Sequence, residues 1–233
     1  MARTAKSPAL TRHAVLDAAT RVLDRQGLDG LTMRAVAAEL SVQAPALYWH
    51  LASKDALRIA LYDHLMGDLV FAPRRDDWRE DVRRMAQGLR ARLLSHRDLA
   101  RLVPEGFFFA PRSMSLMETA LGVLMEAGLK PRDAYYAFTT GFSYVVRWCL
   151  GEADLRNRPA HERPGLDEAT RALLLNGEAY PHFAQVAEAF LIPGDLDEQF
   201  AFGLDCLIAG FERLIRPKDN FPAHRLRPRV HSA

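Results

Sequence analysis

Apolar residues recur at helical spacing along almost the whole chain. Val15, Ala18, Ala19, Val22 and Leu23 make one stripe, and Gly27 is placed to end that helix. Asp29-Gly30 forms a turn, after which Thr32 can cap a second helix with Met33, Val36, Ala37 and Leu40 facing inward. Ser41-Val42 turns the chain again. Pro45 suits the first turn of a third helix, where its missing N–H is not needed, and Leu47 and Leu51 face inward one turn apart. Ser53 caps a fourth, longer helix through Leu57, Leu61 and Leu65 to about Val70. Pro73 to Asp77 breaks the pattern. Helical periodicity resumes over Trp78 to Ser95, Leu99 to Val103, Ser113 to Ala127, Arg132 to Leu155, Asp167 to Gly177, Tyr180 to Ile192 and Leu196 to Ile215. Arg156 to Gly165 is rich in Arg and Pro without a period and reads as a mobile loop. From Pro217 the chain reads as a disordered tail. No strand and no internal repeat emerges, so the expected fold class is all-α, with about nine or ten helices.

The second and third helices with their tight turn have the form of a helix-turn-helix. Such a unit packs one face of its second helix on its own domain and offers the other to base edges and phosphates. Val42, Leu47 and Leu51 supply the buried face. Gln43, Ala44, Pro45, Tyr48, Trp49 and His50 are left for a DNA groove. Gln43 can pair with an adenine edge, and Ala44, Pro45 and the Trp49 ring can pack on thymine methyls. Tyr48, His50 and Lys54 are placed to reach flanking phosphates, the helix N-terminus adds backbone donors, and Arg34 can reach a guanine from the preceding helix, which starts at Thr32. An ordinary aromatic core is the competing reading. It fails because Tyr48, Trp49 and His50 are consecutive and point about 100° apart around a helix.

Charge sharpens this picture modestly. The net charge is +2, but the chain through Arg58 holds eight basic and five acidic residues, and the tail from Pro217 four basic and one acidic. Basic ends on an acidic body suit a polyanion contact made by one part of the molecule. The tail, with Arg225, Arg227 and Arg229, could touch DNA or lipid or only be solvated. Cys149 and Cys206 fit no metal or redox spacing; both lie in apolar helical stretches and read as reduced core thiols of a cytoplasmic protein. No segment has the length of a membrane helix, and the N-terminus lacks the apolar stretch of a secretory signal. The eight histidines form no ligand cluster by spacing; His64 and His96 read as surface or capping residues. A Gly-rich phosphate loop, HExxH and Gly-x-Ser-x-Gly are all missing, so neither a metal site, a cofactor nor a catalytic set is expected.

Several segments resemble the tetracycline-repressor (TetR) family of bacterial regulators. They are Gly-Leu-Asp-Gly-Leu-Thr-Met-Arg, Ala-Ala-Glu-Leu-Ser-Val, and Ala-Leu-Tyr-Trp-His-Leu followed by Ser-Lys-Asp-Ala-Leu, with Lys54 four residues after His50. Leu93-Leu94-Ser95-His96-Arg97-Asp98 and Phe200-Ala201-Phe202-Gly203-Leu204-Asp205, with Gly210 and Glu212, are similar to the C-terminal domain of the tetracycline repressor's own subgroup. The resemblance implies a homodimeric repressor that binds a palindromic double-stranded operator and releases it when a small molecule enters the larger domain. The fourth helix would be the mechanical link. The domains would be 1–57 (helix-turn-helix), 58–216 (ligand binding and dimerisation) and 217–233 (basic tail). Where that subgroup places polar and metal-ligating drug contacts, this chain aligns Met85, Leu89, Val103 and Phe107, so a more hydrophobic effector than tetracycline is expected.

Other residues bear on ligand and partner. Phe107, Phe108, Phe109, Met114, Met117 and Met125 supply aromatic and flexible apolar surface that suits a pocket or ordinary core. Phe138, Phe142, Tyr144, Arg147 and Trp148 gather on one long helix. Arg147 can pair with Glu152, face solvent or meet a ligand carboxylate. For the dimer, the last helix offers Gly203 and Gly210 for close approach, with Leu204, Leu207, Phe211 and Leu214 continuing the apolar surface; packing within one subunit is the competing reading. An alternative function is a helical small-molecule-binding protein or enzyme with a vestigial DNA-binding domain.

Overall fold

A computed structural model describes residues 10–67, 69–74, 76–103, 110–157, 168–191 and 195–215. Among them lie ten α-helices and one 3₁₀ turn, with no strand. Phe107 to Phe109, most of the Arg156 to Gly165 segment and the basic tail fall outside the described residues.

The first helix, α1 (Arg12–Gly30), starts where the Thr11 hydroxyl accepts the Ala14 N–H. Its stripe of Val15, Ala18, Ala19, Val22 and Leu23 is fully buried. The helix breaks at Gly27 (φ 70, ψ −177), a conformation open to glycine alone. Thr32 caps α2 (Met33–Glu39), and Ser53 caps α4 (Lys54–Leu65), each hydroxyl accepting the N–H three residues on. Between them α3 (Pro45–Tyr48) is a single turn. α4 stops at Leu65, five residues before the expected Val70. Gly67 N–H closes a tight turn on the His64 carbonyl (3.1 Å), and a Cβ at Gly67 would meet that same oxygen at 2.8 Å.

The larger part is built from α5 (Trp78–Leu94), α6 (Pro111–Glu126), α7 (Pro131–Asn157), α8 (Glu168–Leu174), α9 (Pro181–Leu191) and α10 (Leu196–Ile215). α6 begins two residues before the expected Ser113, because Pro111 fits its first turn. The Leu99–Leu102 segment is a 3₁₀ turn, entered through Asp98 in the left-handed region (φ 58). α7 packs on α5, α6 and α10. One continuous core runs from α1 through Leu57, Leu61 and Met66 to Leu93, Leu99 and Leu102, so among the described residues the N-terminal helices and the larger part share one core.

The two thiols differ from expectation. Cys149 is buried, and burial pushes its thiol up to about 12, whereas Cys206 is exposed on α10. Period alone placed both in apolar surroundings, but Cys206 falls on the outer face of an amphipathic helix.

Gly27 is the most constrained backbone position. A Cβ there would lie 2.7 Å from Asp98 Oδ2, in a conformation that costs other residues about 1–3 kcal/mol. Gly27→Ala is expected to lower the unfolding free energy by at least that amount, read as a lower urea midpoint; an unchanged midpoint would contradict the kink.

Candidate functional site

The reading surface is built by burial of one side only. Met33, Val36 and Ala37 of α2 are buried, and the chain turns through Leu40 and Ser41 (φ 55), with Val42 N–H on the Ala37 carbonyl (3.0 Å). Leu47 and Leu51 are buried. Their neighbours then face out: Trp49 is 91% and Tyr48 52% exposed, which excludes an aromatic core. Gln43, Pro45 and Lys54 are exposed, and Ala44 and His50 are half-buried. Arg34 is exposed in the first turn of α2, behind the Thr32 cap. Because α3 is one turn long, it has little helix dipole, so phosphate attraction through its N-terminus is weaker than expected.

Charges sort the same way. Arg21 and Arg25 of α1 both donate to Glu39, and the Arg21 contact (2.7 Å) leads in holding that carboxyl below its ordinary range. Among the described residues, Arg34 and Lys54 have no ion-pair partner, which leaves them for an anion from outside.

A cavity of about 90 Å³ lies between α5, α6, α7 and α10. Val82, Met85, Ala86 and Leu89 line it from α5, and Phe138, Gly141, Phe142 and Val145 from α7, each set at one-face helical spacing. Leu116, Ala120 and Leu124 of α6 and Leu204 and Phe211 of α10 complete it. Phe71 reaches in from the loop after α4 and rests on Gly88, where a Cβ would be 2.7 Å from the ring. The buried carboxylate of Asp81 secures that loop by accepting the Arg74 N–H (3.0 Å). Ser113 contributes a hydroxyl to the wall, beside the Tyr62 phenol, whose pKa burial pushes up, so it stays neutral.

Met85, Leu89 and Phe138 therefore line the cavity as expected residues, while Val103 and Met117 are half-buried outside its lining. Phe107 is outside the described residues. Tyr144, Arg147 and Trp148 line a different, open depression with Gly151, Glu152, Leu155 and Leu196. The Arg147–Glu152 pair is not made. Glu152, buried, is held by Arg90 (2.9 Å) and Arg156 (2.6 Å), and Arg147 is exposed. The Tyr144 hydroxyl donates to the Phe200 carbonyl (2.8 Å), and its ring stacks on Phe200.

The last helix divides differently from expectation. Leu204 and Phe211 are buried within the protomer, and a Cβ at Gly203 would strike the Tyr144 ring, so these three serve internal packing. Leu207 is half-buried, and Gly210 and Leu214 stay exposed beside Phe202, which is 72% exposed. Ion pairs fasten this helix to α5: Arg90 to Asp197 (2.7 Å), Arg83 to Asp205 (2.8 Å) and Arg79 to Glu212.

A single-turn helix with an exposed aromatic edge and, between α5, α6, α7 and α10, an apolar cavity are the two parts needed by a regulator that couples DNA reading to ligand binding. The chain belongs to the TetR family and is a ligand-responsive, DNA-binding transcriptional regulator. Residues 15–61 match the bacterial regulatory proteins of the tetR family, and residues 72–215 match the tetracyclin repressor-like, C-terminal domain. The class G tetracycline repressor protein of Vibrio anguillarum is 34% identical over 209 residues, covering 88% of this chain and 95% of that protein. ActR of Streptomyces coelicolor, in complex with actinorhodin, superposes with a TM-score of 0.76 at 28% identity, over 88% of this chain and 97% of ActR. A TetR variant from Acinetobacter baumannii AYE, in complex with minocycline, gives 0.64 at 31% identity, over 89% of this chain and 99% of that one. No helix among the described residues is long and apolar enough to cross a membrane.

The Glu152 cluster ties α5, α7 and α10 together behind the cavity. Removing one partner of a buried pair strands the other charge, at a cost of about 3–5 kcal/mol. Glu152→Ala leaves Arg90 its Asp197 partner and Arg156 in solvent, so its loss is expected to be smaller, about 1–3 kcal/mol by urea unfolding, and no measurable loss would mean the network is solvated.

Proposed function

We propose that the chain acts in the cytoplasm as a homodimeric repressor. Two copies hold a palindromic operator, and a mostly apolar small molecule entering the cavity between α5 and α7 releases it. The observation that carries the ligand class is the lining, in which, among the described residues, Ser113 is the one side chain with an oxygen or nitrogen atom. A tetracycline with bound Mg²⁺ requires several oxygen and imidazole partners, and among the described residues this wall offers the Ser113 hydroxyl alone. The relatives support the wider class: ActR is seen with actinorhodin, and a TetR variant with minocycline. At about 90 Å³ the cavity is smaller than the several hundred Å³ that enclose a drug-sized ligand. Binding must therefore spread its walls, and that displacement is the signal.

Operator contact is assigned to Arg34, Gln43, Ala44, Pro45, Tyr48, Trp49, His50 and Lys54, with Thr32 at the start of α2. The DNA-binding unit would comprise residues 1–57, through the first turn of α4, and the ligand-binding and dimerisation unit residues 58–216. The exposed side of α10, with Phe202, Gly210 and Leu214, is the face proposed for the dimer, since its other side is used within the protomer.

Fluorescence anisotropy on DNA from upstream of the chain's own gene, with random DNA as competitor, tests the reading surface. Trp49→Ala and Arg34→Ala are each expected to weaken specific binding by about 1–3 kcal/mol, while Lys54→Ala flattens the salt dependence by about one unit of slope. Parent-like binding by all three would refute the assignment. Gly141 lines the cavity, and apart from its own stretch of helix nothing lies within 4 Å of its Cβ position. Gly141→Leu should fill the space, keep operator affinity and raise the concentration of an apolar inducer needed for release about tenfold, or 1.4 kcal/mol. Unchanged induction would place the ligand elsewhere.

A further inference from the structure

Two histidines and an aspartate, distant in sequence, meet on the outer side of the α1–α4 packing. His13 and Asp17 are one turn apart on α1, on the same face. His64 sits in the last turn of α4. His64 Nε2 lies 3.1 Å from Asp17 Oδ1, and His13 Nε2 lies 3.6 Å from Asp17 Oδ2. The two imidazoles stand edge to face with centroids 5.1 Å apart. One donor atom from each of the three residues falls within 4.8 Å of the others.

The backbones beneath are fixed. Val15 and Ala18 of α1 and Leu61 and Leu65 of α4 are buried in one core, so the side chains, not the helices, would adjust. Zinc bonds of about 2.0–2.1 Å at tetrahedral angles set ligand atoms about 3.4 Å apart. Small side-chain rotations bring the three donors to that spacing. The arrangement is graded from solvent inward: the His13 side chain is 76% exposed, Asp17 41% and His64 23%. One side thus remains open for water as a further ligand.

We infer that His13, Asp17 and His64 form a site for a divalent transition-metal ion of the zinc class. Two imidazole nitrogens and one carboxylate suit Zn²⁺, and also Co²⁺, Ni²⁺ or Cu²⁺, whereas Mg²⁺ and Ca²⁺ prefer oxygen shells. The ion clamps the start of α1 to the end of α4. Asp63, the neighbour of His64, accepts the Arg112 N–H at the start of α6 (2.9 Å), and Arg112 also donates to the Gly67 carbonyl (2.8 Å). The clamp therefore closes where the first helix, the link helix and a wall of the ligand cavity join.

The test is Zn²⁺ competition against a chromophoric chelator, using the full chain without a histidine tag, together with melting in the presence and absence of Zn²⁺. The expected result is one Zn²⁺ per chain and a higher melting temperature with metal. His13→Asn and His64→Gln should each weaken binding tenfold or more and abolish the metal-dependent rise, with His182→Gln unchanged as a control. His13 is mostly in solvent, so its variant folds like the parent and keeps the test decisive. Parent-like Zn²⁺ binding by both variants, or no stoichiometric binding at micromolar metal, would overturn the site and leave a plain His64–Asp17 hydrogen bond.

Discussion

The Asp98 carboxylate accepts the Leu28 N–H at 2.9 Å, directly after the kink at Gly27. This bond joins the first helix to the turn that follows α5. Neighbouring contacts follow the same line: His96 Nδ1 to Asp24 (3.1 Å), Arg101 to Asp29 (3.1 Å) and Arg97 N–H to Asp24 (3.3 Å). Without the kink, Leu28 N–H would be committed to the helix and the carboxylate would lose that donor. With it, α1 cannot turn relative to the 3₁₀ segment without breaking several bonds at once. α5 runs from the cavity wall into that segment, so displacement of the wall has a short, stiff route to the reading surface.

Much of the helical skeleton was legible because its signals are local. Thr32 and Ser53 as caps, Pro45 in a first turn and Gly27 as a breaker each depend on a few adjacent residues, and the structure uses each in that role. The exposed Tyr48-Trp49 edge was legible for the same reason, since three consecutive helical residues cannot share one face. The end of α4 was not legible, because Leu69 and Val70 continue the apolar composition after Gly67 has already turned the chain.

The cavity was only half legible. The stripes Val82-Met85-Ala86-Leu89 and Phe138-Gly141-Phe142-Val145 could be read from period. Nothing in the period tells whether two such stripes meet in contact or leave a gap. The gap follows from small residues at Gly141, Ala86, Ala120 and Ala137 and from Phe71, which reaches Gly88 from a loop with no period at all. Long-range pairing was likewise hidden. Glu152 stands four residues from Arg156 and five from Arg147, yet Arg90, 62 positions away, also closes on it. The His13-Asp17-His64 group is invisible to spacing because it spans two helices.

The ion pairs that fasten α10 and α7 to α5 lie outside the cavity, while the described residues that line the cavity are all uncharged. Scaffold and lining are thus different sets of residues. A single substitution in the lining alters the shape of the space without loosening the frame around it or the joint at Asp98. On the proposed reading of the cavity, such a body can exchange one apolar effector for another over evolutionary time while the surface proposed to read DNA, and the genes it addresses, stay the same.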